Sequence, residues 1–304
     1  MKNRNYLKSL FERASASNSS ILIPESEDSR VIDAKNKLKS FGFNIVEVDD
    51  FNDDSKYIEF IRAKKFTENW PDNEVKKYLN NPINKALAIL ACNDADGVIA
   101  GATISTADVI RSALRIVGID PKYKWISSSF VMISSNKKNI FTYSDCAVIP
   151  EPTSEQLAYI AKAASDIHRL VTSEEPKIAF LSFSTNSSAN HYRVKRVQDA
   201  VRFFSKKFPN IKHEGELQFD AAISREISIK KNINTKLNGK ANVFIFPNLD
   251  AGNIGYKITR ELAGYSAWGP LVQGLNKPVH DLSRSCSVDD IINIAAITSI
   301  QKSS

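Results

Sequence analysis

The sequence predicts an α/β protein built on a largely parallel sheet, and two observations point to it. Short apolar runs of strand length alternate along the chain with segments in which apolar residues recur at helical spacing. The runs are rich in isoleucine, valine and phenylalanine, and polar loops close them. Strands that alternate with helices pair in parallel, because each intervening helix returns the chain to the starting edge of the sheet.

The predicted elements follow in chain order. Ile21–Ile23 is the first strand, and the helical spacing after it predicts a helix over 29–41. A last helix is expected to start at Ser287. The elements predicted between these are strands at 45–48, 97–100, 178–183 and 243–246, with helices at 85–93 and 108–117.

Length and composition are those of an ordinary globular protein. The chain has 304 residues, of which 42% are hydrophobic and 25% charged, so it can bury a large core in one or two domains. Residues 1–19 are polar, and no apolar run approaches the roughly 18 residues that span a membrane. We therefore expect a soluble, cytoplasmic protein with no membrane partner.

The charge and the cysteines exclude several functional classes. The formal net charge is +7, but the basic residues are scattered and do not alternate with aromatic residues, so we expect no nucleic-acid partner. A small phosphate-bearing ligand fits the sign of the charge. Cys92, Cys146 and Cys286 have no metal-ligand spacing and are an odd set, which indicates a reducing compartment without disulfides.

Ligands of open α/β sheets bind at the carboxyl ends of the strands, against helix N-termini. After the first strand, Arg30 either lies beside a site or forms a structural ion pair, and the acidic turn before it favours the ion pair. After the strand at 97–100, Ser105 and Thr106 can bond phosphate oxygens, with Arg111 about one turn into the next helix. The alternative, that one hydroxyl only caps that helix, stays open.

Two further strand-end loops are candidates. Ser184 and Thr185 follow the strand at 178–183 in a polar loop that either cradles an anion or is an ordinary connection. Asn253 lies in the glycine-bearing loop after the strand at 243–246, which lacks the spacing of a P-loop.

The last segment is the richest in candidate groups. Ser283 and Arg284 precede a helix N-terminus, where a hydroxyl and a guanidinium can bind a phosphate or an oxyanion. Ser287 and Asp290 have the spacing of a capping box with Asp in place of Glu, so spacing alone assigns Asp290 to capping. The four histidines, at 168, 191, 213 and 280, are dispersed, and no metal site is predicted.

Taken together, eight ordered blocks resemble the phosphate acetyltransferase and phosphate butyryltransferase family. The resemblance runs from about residue 21 to the C-terminus, and the last block and the one at 215–223 are closer to the acetyl branch. The blocks are PESEDSR at 24–30, DADGVIAGA at 94–102, STAD at 105–108, SDCAVIPEPT at 144–153, FLSFST at 180–185, GELQFDAAI at 215–223, NVFIFPNLDAGNIGYK at 242–257 and GPLVQGLNKPVHDLSRSCSVDDI at 269–291.

The resemblance implies two α/β domains with a cleft between them, similar to isocitrate and isopropylmalate dehydrogenases, in a homodimer. The first domain takes 1–138 and 279–304, and 139–278 forms the second. The implied reaction converts acetyl phosphate and coenzyme A into acetyl-CoA and inorganic phosphate by direct thiol attack in a ternary complex. Coenzyme A is a substrate, and neither a metal nor an organic cofactor is expected.

The resemblance also implies roles for single residues. Ser283 matches the serine that hydrogen-bonds the acyl carbonyl, Arg284 the arginine that binds phosphate, and Asp290 the general base for the thiol. Arg111 and Arg62 match substrate-binding arginines. Ser105, Thr106, Ser184, Thr185 and Asn253, in the strand-end loops of these blocks, are expected to contact substrates.

Several positions depart from the family pattern. They are Ile104 in place of His, Ser112 in place of Pro, Asn186 in place of Lys, Glu261 in place of Arg, His280 in place of Asn and Ser285 in place of Gly. Loss of cationic side chains weakens an anion site. Two alternatives therefore stand beside acetyl transfer: preference for a longer acyl chain such as butyryl, and a protein that binds coenzyme A or acetyl phosphate without catalysis.

Overall fold

A computed structural model describes residues 5–230 and 236–301. Residues 7–120 and 269–301 form one compact unit, here called the terminal unit. Residues 121–268 form the other, here called the inserted unit. Among the described residues no helix is both long and apolar enough to cross a bilayer.

The first part of the chain supplies most of the terminal unit. Asp28 caps α2 and Ser105 caps α6 through their side-chain oxygens, while Asn81 caps α5 ahead of a proline at its first position. The elements are α1 (Asn5–Ala16), β1 (Ile21–Leu22), α2 (Ser29–Ser40), β2 (Ile45–Val46), α3 (Asp54–Arg62), α4 (Asp72–Leu79), α5 (Pro82–Ala91), β3 (Gly97–Ala100) and α6 (Thr106–Ile116).

The inserted unit opens with a hairpin and continues with alternating helices and strands. Its elements are β4 (Ser127–Ile133), β5 (Ile140–Ser144), α7 (Ser154–Thr172), β6 (Lys177–Leu181), α8 (Tyr192–Lys207), β7 (Lys212–Leu217), α9 (Phe219–Ile223), α10 (Arg225–Lys230), β8 (Val243–Ile245) and α11 (Leu249–Ala263). Strand β9 (Ser266–Gln273) then leads to β10 (Val279–Asp281) and α12 (Val288–Gln301).

The terminal sheet has the order β10-β3-β1-β2, and its neighbouring strands pair in parallel. All four residues of β3 are buried, as expected for a central parallel strand that is covered on both faces. Helix α12 packs so closely on β3 that a Cβ on Gly97 would lie 2.3 Å from Cγ2 of Thr298. A glycine is therefore required where the helix crosses the strand.

The second sheet has the order β7-β6-β8-β5-β4-β9. Its strands β5, β6, β7 and β8 pair in parallel, and β4 and β5 are antiparallel. Helix α7 begins in a capping box formed by Thr153 and Gln156, and it buries one face with α8 against the sheet. The predicted α/β class with largely parallel sheets is confirmed.

Predicted and observed helix starts differ by a few residues for physical reasons, and the two units divide further from the expected positions. Helix α5 starts three residues before the predicted one because of the Asn81 cap, and Ser287 caps α12 without being its first residue. The domain division expected at 138 falls in the turn between β4 and β5, whose strands pair within the inserted unit. The units divide at 120/121 and 268/269, ahead of both expected positions.

Candidate active site

Three loops meet at the carboxyl edge of the terminal sheet. They follow β1, β3 and β10, which are adjacent and parallel, so the ends of the strands lie side by side. The loop after β3 leads to α6, and the loop after β10 carries Ser283 and Arg284 to α12. This edge therefore brings together most of the residues that the sequence analysis singled out in the terminal unit.

Glu25 fills an anion-binding turn in the loop after β3. Its carboxylate accepts the backbone N–H groups of Gly101, Ala102 and Thr103 at 2.7–2.9 Å and that of Ile104 at 3.4 Å. It also accepts the Thr103 hydroxyl at 2.6 Å. Successive amides of this kind form a concavity for anions. The side chain of Glu25 occupies this concavity, so these amides bind the protein's own carboxylate.

Asp281 ties the end of β10 to the start of α6. The Thr106 hydroxyl donates to Oδ2 of Asp281 at 2.5 Å, while Oδ1 is buried without a hydrogen-bond partner among the described residues. A Cβ on Gly101 would lie 2.3 Å from that Oδ1. Burial raises the pKa of Asp281 to about 7, although the Thr106 hydrogen bond acts in the opposite direction. The Thr106 hydroxyl thus donates inside the protein.

The other two candidates on α6 share an acidic partner. The Ser105 hydroxyl donates to Asp108 at 2.7 Å, and Nη1 of Arg111 donates to the same carboxylate at 2.6 Å. The hydrogen bonds from Ser105 and Arg111 lower the pKa of Asp108. Ser105 also accepts the N–H of Asp108, so the capping role that the sequence left open is present. The side chain of Arg111 is 57% exposed.

The loop after β10 presents Ser283 and Arg284 to solvent. The Ser283 and Ser285 hydroxyls lie 2.9 Å apart, and the N–H of Ser285 donates to the Ser283 hydroxyl at 3.3 Å. The guanidinium of Arg284 is exposed and makes no hydrogen bond or ion pair with the residues that the structure describes. An unpaired arginine beside a hydroxyl is suited to an anionic electrophile such as an acyl phosphate.

Asp290 caps α12, as the spacing predicted. Its Oδ2 accepts the N–H of Ser287 at 2.9 Å and the Ser287 hydroxyl at 2.8 Å. The N–H of Asp290 donates back to the Ser287 hydroxyl at 3.2 Å. This reciprocal arrangement is a capping box with Asp in the third position. It holds the carboxylate at the helix start, six residues after Arg284.

Arg62 ends α3, and its Nη2 forms an ion pair with Asp72 of α4.

Three candidates lie in the inserted unit. The Ser184 hydroxyl is buried and donates to Glu216 at 2.9 Å, and that of Thr185 accepts the N–H of Gln218 at 2.9 Å.

Asn253 donates its side-chain amide to the carbonyl of Cys146 at 3.0 Å. The hydrogen bonds of Ser184, Thr185 and Asn253 close loops of the inserted unit.

The structure shows the surroundings of three residues that depart from the family pattern. His280 is fully buried, with Nε2 2.5 Å from Oε1 of Gln301, and burial lowers its pKa to about 4. Glu261 is exposed and pairs with its neighbour Arg260 at 2.6 Å. Asn186 is exposed in the loop after β6.

A cavity of about 1060 Å³ adjoins the amide turn that holds Glu25. The loops after β1 and β3 line it together with α3, α4 and α5, and Thr103 and Ile104 form part of its wall. Ile104, where the family usually has His, therefore faces this space with an apolar side chain. Within the described part of the chain, no three His, Cys, Asp or Glu side chains are grouped so that they could hold a metal ion.

Comparison with known proteins decides the family. The family model described as phosphate acetyl/butaryl transferase matches residues 33–299. The chain belongs to this family of acyltransferases. A phosphate acetyltransferase of Paracoccus denitrificans is 36% identical over 97% of this chain and 98% of its own length. One from Staphylococcus aureus strain MRSA252 is 39% identical over 97% of this chain and 98% of its own.

Solved structures agree with the sequence relatives. A phosphotransacetylase from Streptococcus pyogenes superposes with a TM-score of 0.90 at 33% identity, covering 99% of both chains. A branched-chain phosphotransacylase from Enterococcus faecalis V583 has a TM-score of 0.68 at 18% identity over 93% of this chain and 99% of its own, which shows the shared fold alone. The family resemblance that the sequence blocks carried is confirmed.

The sequence analysis missed two residues whose hydrogen bonds hold the loops at the carboxyl edge of the terminal sheet. Glu25 and Asp281 both lie in blocks that carried the resemblance, yet neither was chosen as a site residue. A signal for Asp281 was present, because an acidic residue inside a buried strand needs a partner or a raised pKa. Nothing in the sequence places Glu25 against amides that lie 76 to 79 positions further along the chain.

Proposed function

We propose that this member of the family transfers an acetyl group reversibly between acetyl phosphate and coenzyme A. The observation that carries the proposal is the exposed Ser283–Arg284 loop, which presents a hydroxyl and an unpaired guanidinium beside the N-terminus of α12. The charge and donor geometry of that loop fit the phosphate and the acyl oxygen of acetyl phosphate. Relatives named phosphate acetyltransferase, which align over almost the whole chain, support the choice of the acetyl group.

The proposed step is direct attack of the thiol. Asp290 takes the proton of the coenzyme A thiol, and the sulfur forms a bond to the acyl carbon. The carbonyl oxygen becomes negative and accepts a hydrogen bond from the Ser283 hydroxyl. When the carbonyl re-forms, the bond between carbon and phosphate oxygen breaks, and Arg284 binds the leaving phosphate. A free thiol has a pKa near 8.5, so removing its proton near neutral pH calls for a base.

Substrate binding by Arg111 and Arg62 belongs to the same proposal. Both arginines are exposed and paired with carboxylates, Arg111 with Asp108 and Arg62 with Asp72. Exposed ion pairs are weak, so an arriving phosphate can replace the carboxylate. Thr106, Ser184, Thr185 and Asn253 are less favoured as direct ligands, because their side chains make buried or part-buried hydrogen bonds within the protein. The Ser105 hydroxyl donates to the exposed carboxylate of Asp108, so a phosphate can replace that partner as it can for Arg111.

The test is formation of acetyl-CoA from coenzyme A and acetyl phosphate by the purified chain, with butyryl phosphate in parallel. We expect turnover with acetyl phosphate and slower turnover with butyryl phosphate. Arg284→Ala should raise the KM for acetyl phosphate at least tenfold, the loss of a charge-assisted contact worth about 1.5–3 kcal/mol. Faster turnover of butyryl phosphate would contradict the acetyl assignment. Binding of coenzyme A without turnover of either donor would favour the non-catalytic alternative.

Location, assembly and cofactor use extend the proposal. We propose a cytoplasmic homodimer whose chemistry needs no metal or organic cofactor. Three free cysteines suit a reducing compartment. Ile254, Ile258 and Leu262 recur at intervals of four along α11 and are exposed, which supports burial against a second copy. Sedimentation of the purified chain tests the dimer, and activity after dialysis against EDTA tests independence from metal.

A further inference from the structure

Arg30 uses all five of its side-chain N–H groups inside the terminal unit. Nε and Nη2 form a bidentate ion pair with Asp28 at 3.0 and 2.6 Å. Nη1 donates to the backbone carbonyls of Arg284 and Cys286 at 2.8 and 3.0 Å, and Nη2 also donates to the carbonyl of Ala102 at 3.0 Å. A guanidinium has five N–H donors in a planar fork, so none is left for a ligand.

These contacts join three separate segments. Asp28 and Arg30 lie at the start of α2, Ala102 lies in the loop after β3, and the other two carbonyls lie in the loop after β10. Two backbone hydrogen bonds also hold that last loop, from the N–H of Leu282 to Ala100 and from the N–H of Cys286 to the Ser283 carbonyl. The side chain of Arg30 adds a hydrogen bond to the carbonyl of Arg284, which neither of these two backbone bonds reaches.

We propose that Arg30 is a positioning residue, whose fork sets where the Ser283–Arg284 loop presents its hydroxyl and guanidinium to the acyl phosphate. The proposal rests on the function proposed above. It assigns Arg30 no contact with substrate, because every donor is already bound by the protein. Positioning matters for rate, since a shift of about 1 Å in a catalytic group can lower turnover about 10²-fold.

The chemistry of the contact requires arginine. A lysine ammonium has three donors on a flexible stem and cannot serve a bidentate carboxylate and three carbonyls together. Asp28 helps to fix the position of the Arg30 guanidinium. Its carboxylate is itself held in place as the cap of α2, where it accepts the backbone N–H of Arg30 at 2.9 Å. The hydrogen bond from the Arg30 side chain lowers the pKa of Asp28, so this ion pair stays charged near neutral pH.

The experiment compares Arg30→Lys with a matched control, Arg169→Lys. Arg169 lies on α7 and makes one exposed ion pair with Glu175 at 3.1 Å. For each protein, kcat, the KM of both substrates and the melting temperature are measured. Alkylation of Cys286 by iodoacetamide is followed by peptide mass spectrometry, with the buried Cys146 as an internal reference. Cys286 reports on the loop because its Sγ lies 3.8 Å from Nη1 of Arg30.

We expect Arg30→Lys to lower kcat at least tenfold and to raise the KM for acetyl phosphate, with the KM for coenzyme A unchanged. Cys286 should be alkylated faster than in the wild type, Cys146 should not change, and Arg169→Lys should match the wild type. Wild-type kinetics and alkylation in Arg30→Lys would overturn the proposal. A fall in kcat with both KM values and the alkylation rate of Cys286 unchanged would also overturn the proposal. That pattern indicates a smaller amount of folded enzyme and no change in the position of the loop.

Two further outcomes are decisive. If the wild type fails to turn over acetyl phosphate, the proposed function falls. The alkylation rates then still decide whether Arg30 holds the loop. If Arg30→Lys does not fold, Asp28→Asn is used instead. Asn caps helices as well as Asp does, so this change keeps the cap of α2 and removes only the negative charge that pairs with Arg30. Faster alkylation of Cys286 in that variant supports the proposal, and an unchanged rate overturns it.

Discussion

Asp290 has an observed role as a helix cap and a proposed role as a base, and matched substitutions separate the two. Asp290→Asn keeps a side-chain oxygen that can accept the N–H and hydroxyl of Ser287, but an amide cannot take a proton from a thiol. Ser287→Ala removes the hydroxyl from the capping box and leaves the carboxylate in place. Each variant therefore changes mainly one of the two roles.

The expected magnitudes differ enough to decide between them. Loss of an N-terminal cap costs about 1 kcal/mol, and proteins unfold with about 5–15 kcal/mol, so a cap mutant stays almost wholly folded. Weakening of the cap therefore changes the folded population, and hence turnover, very little. Loss of a general base lowers turnover by about 10²–10⁴, which is about 3 kcal/mol or more in the barrier.

The assay measures initial rates of acetyl-CoA formation beside thermal unfolding. We expect Asp290→Asn to lose turnover by about 10² or more with its melting temperature nearly unchanged. Ser287→Ala should melt at lower temperature and keep most of its turnover. Near-wild-type turnover in folded Asp290→Asn would refute the base and leave Asp290 as a cap. Equal losses in both variants would show that the geometry of the helix start, and not proton transfer, controls the rate.

Two other predictions concern the residues that the sequence analysis missed. Glu25→Ala leaves the amides of the loop after β3 without their carboxylate, so the free energy of unfolding in urea should fall by about 1–3 kcal/mol; an unchanged midpoint would contradict this. Burial raises the pKa of Asp281 from 3.8 to about 7, so the folded state keeps a proton that the unfolded state releases in that range. The wild type should therefore lose stability from about pH 4 to pH 7 relative to Asp281→Asn, and parallel melting curves across that range would contradict the raised pKa.

Strands that are buried on both faces could be predicted from the sequence. β3 and β8 are continuous apolar runs, because a parallel sheet covered by helices leaves no polar face. β7 was missed because its sequence, KHEGEL, is mostly polar and its strand lies at the edge of the sheet. β4 was missed because it opens with three serines, which are buried in the fold.

Local contacts of the site could be predicted in the same way, and distant ones could not. The capping box at Ser287 and Asp290 spans three positions, so spacing alone was sufficient. The ion pair between Asp28 and Arg30 is equally local, and the sequence analysis favoured it correctly. The contacts from Arg30 to the loop after β10 join residues more than 250 positions apart, and only the folded chain can show them.

Most of the anion-binding groups at the carboxyl edge of the terminal sheet are already occupied by groups of the protein itself. The amides after β3 are occupied by Glu25, and Arg111 is held by Asp108. Arg30 is fully used by Asp28 and by backbone carbonyls. Of the arginines Arg30, Arg111 and Arg284, only Arg284 has no carboxylate partner among the described residues. Under the proposed function we therefore expect the phosphate of the substrate to bind there first. The Arg111 pair is more than half exposed and weak, so it can exchange its carboxylate for a second phosphate without rearranging the fold.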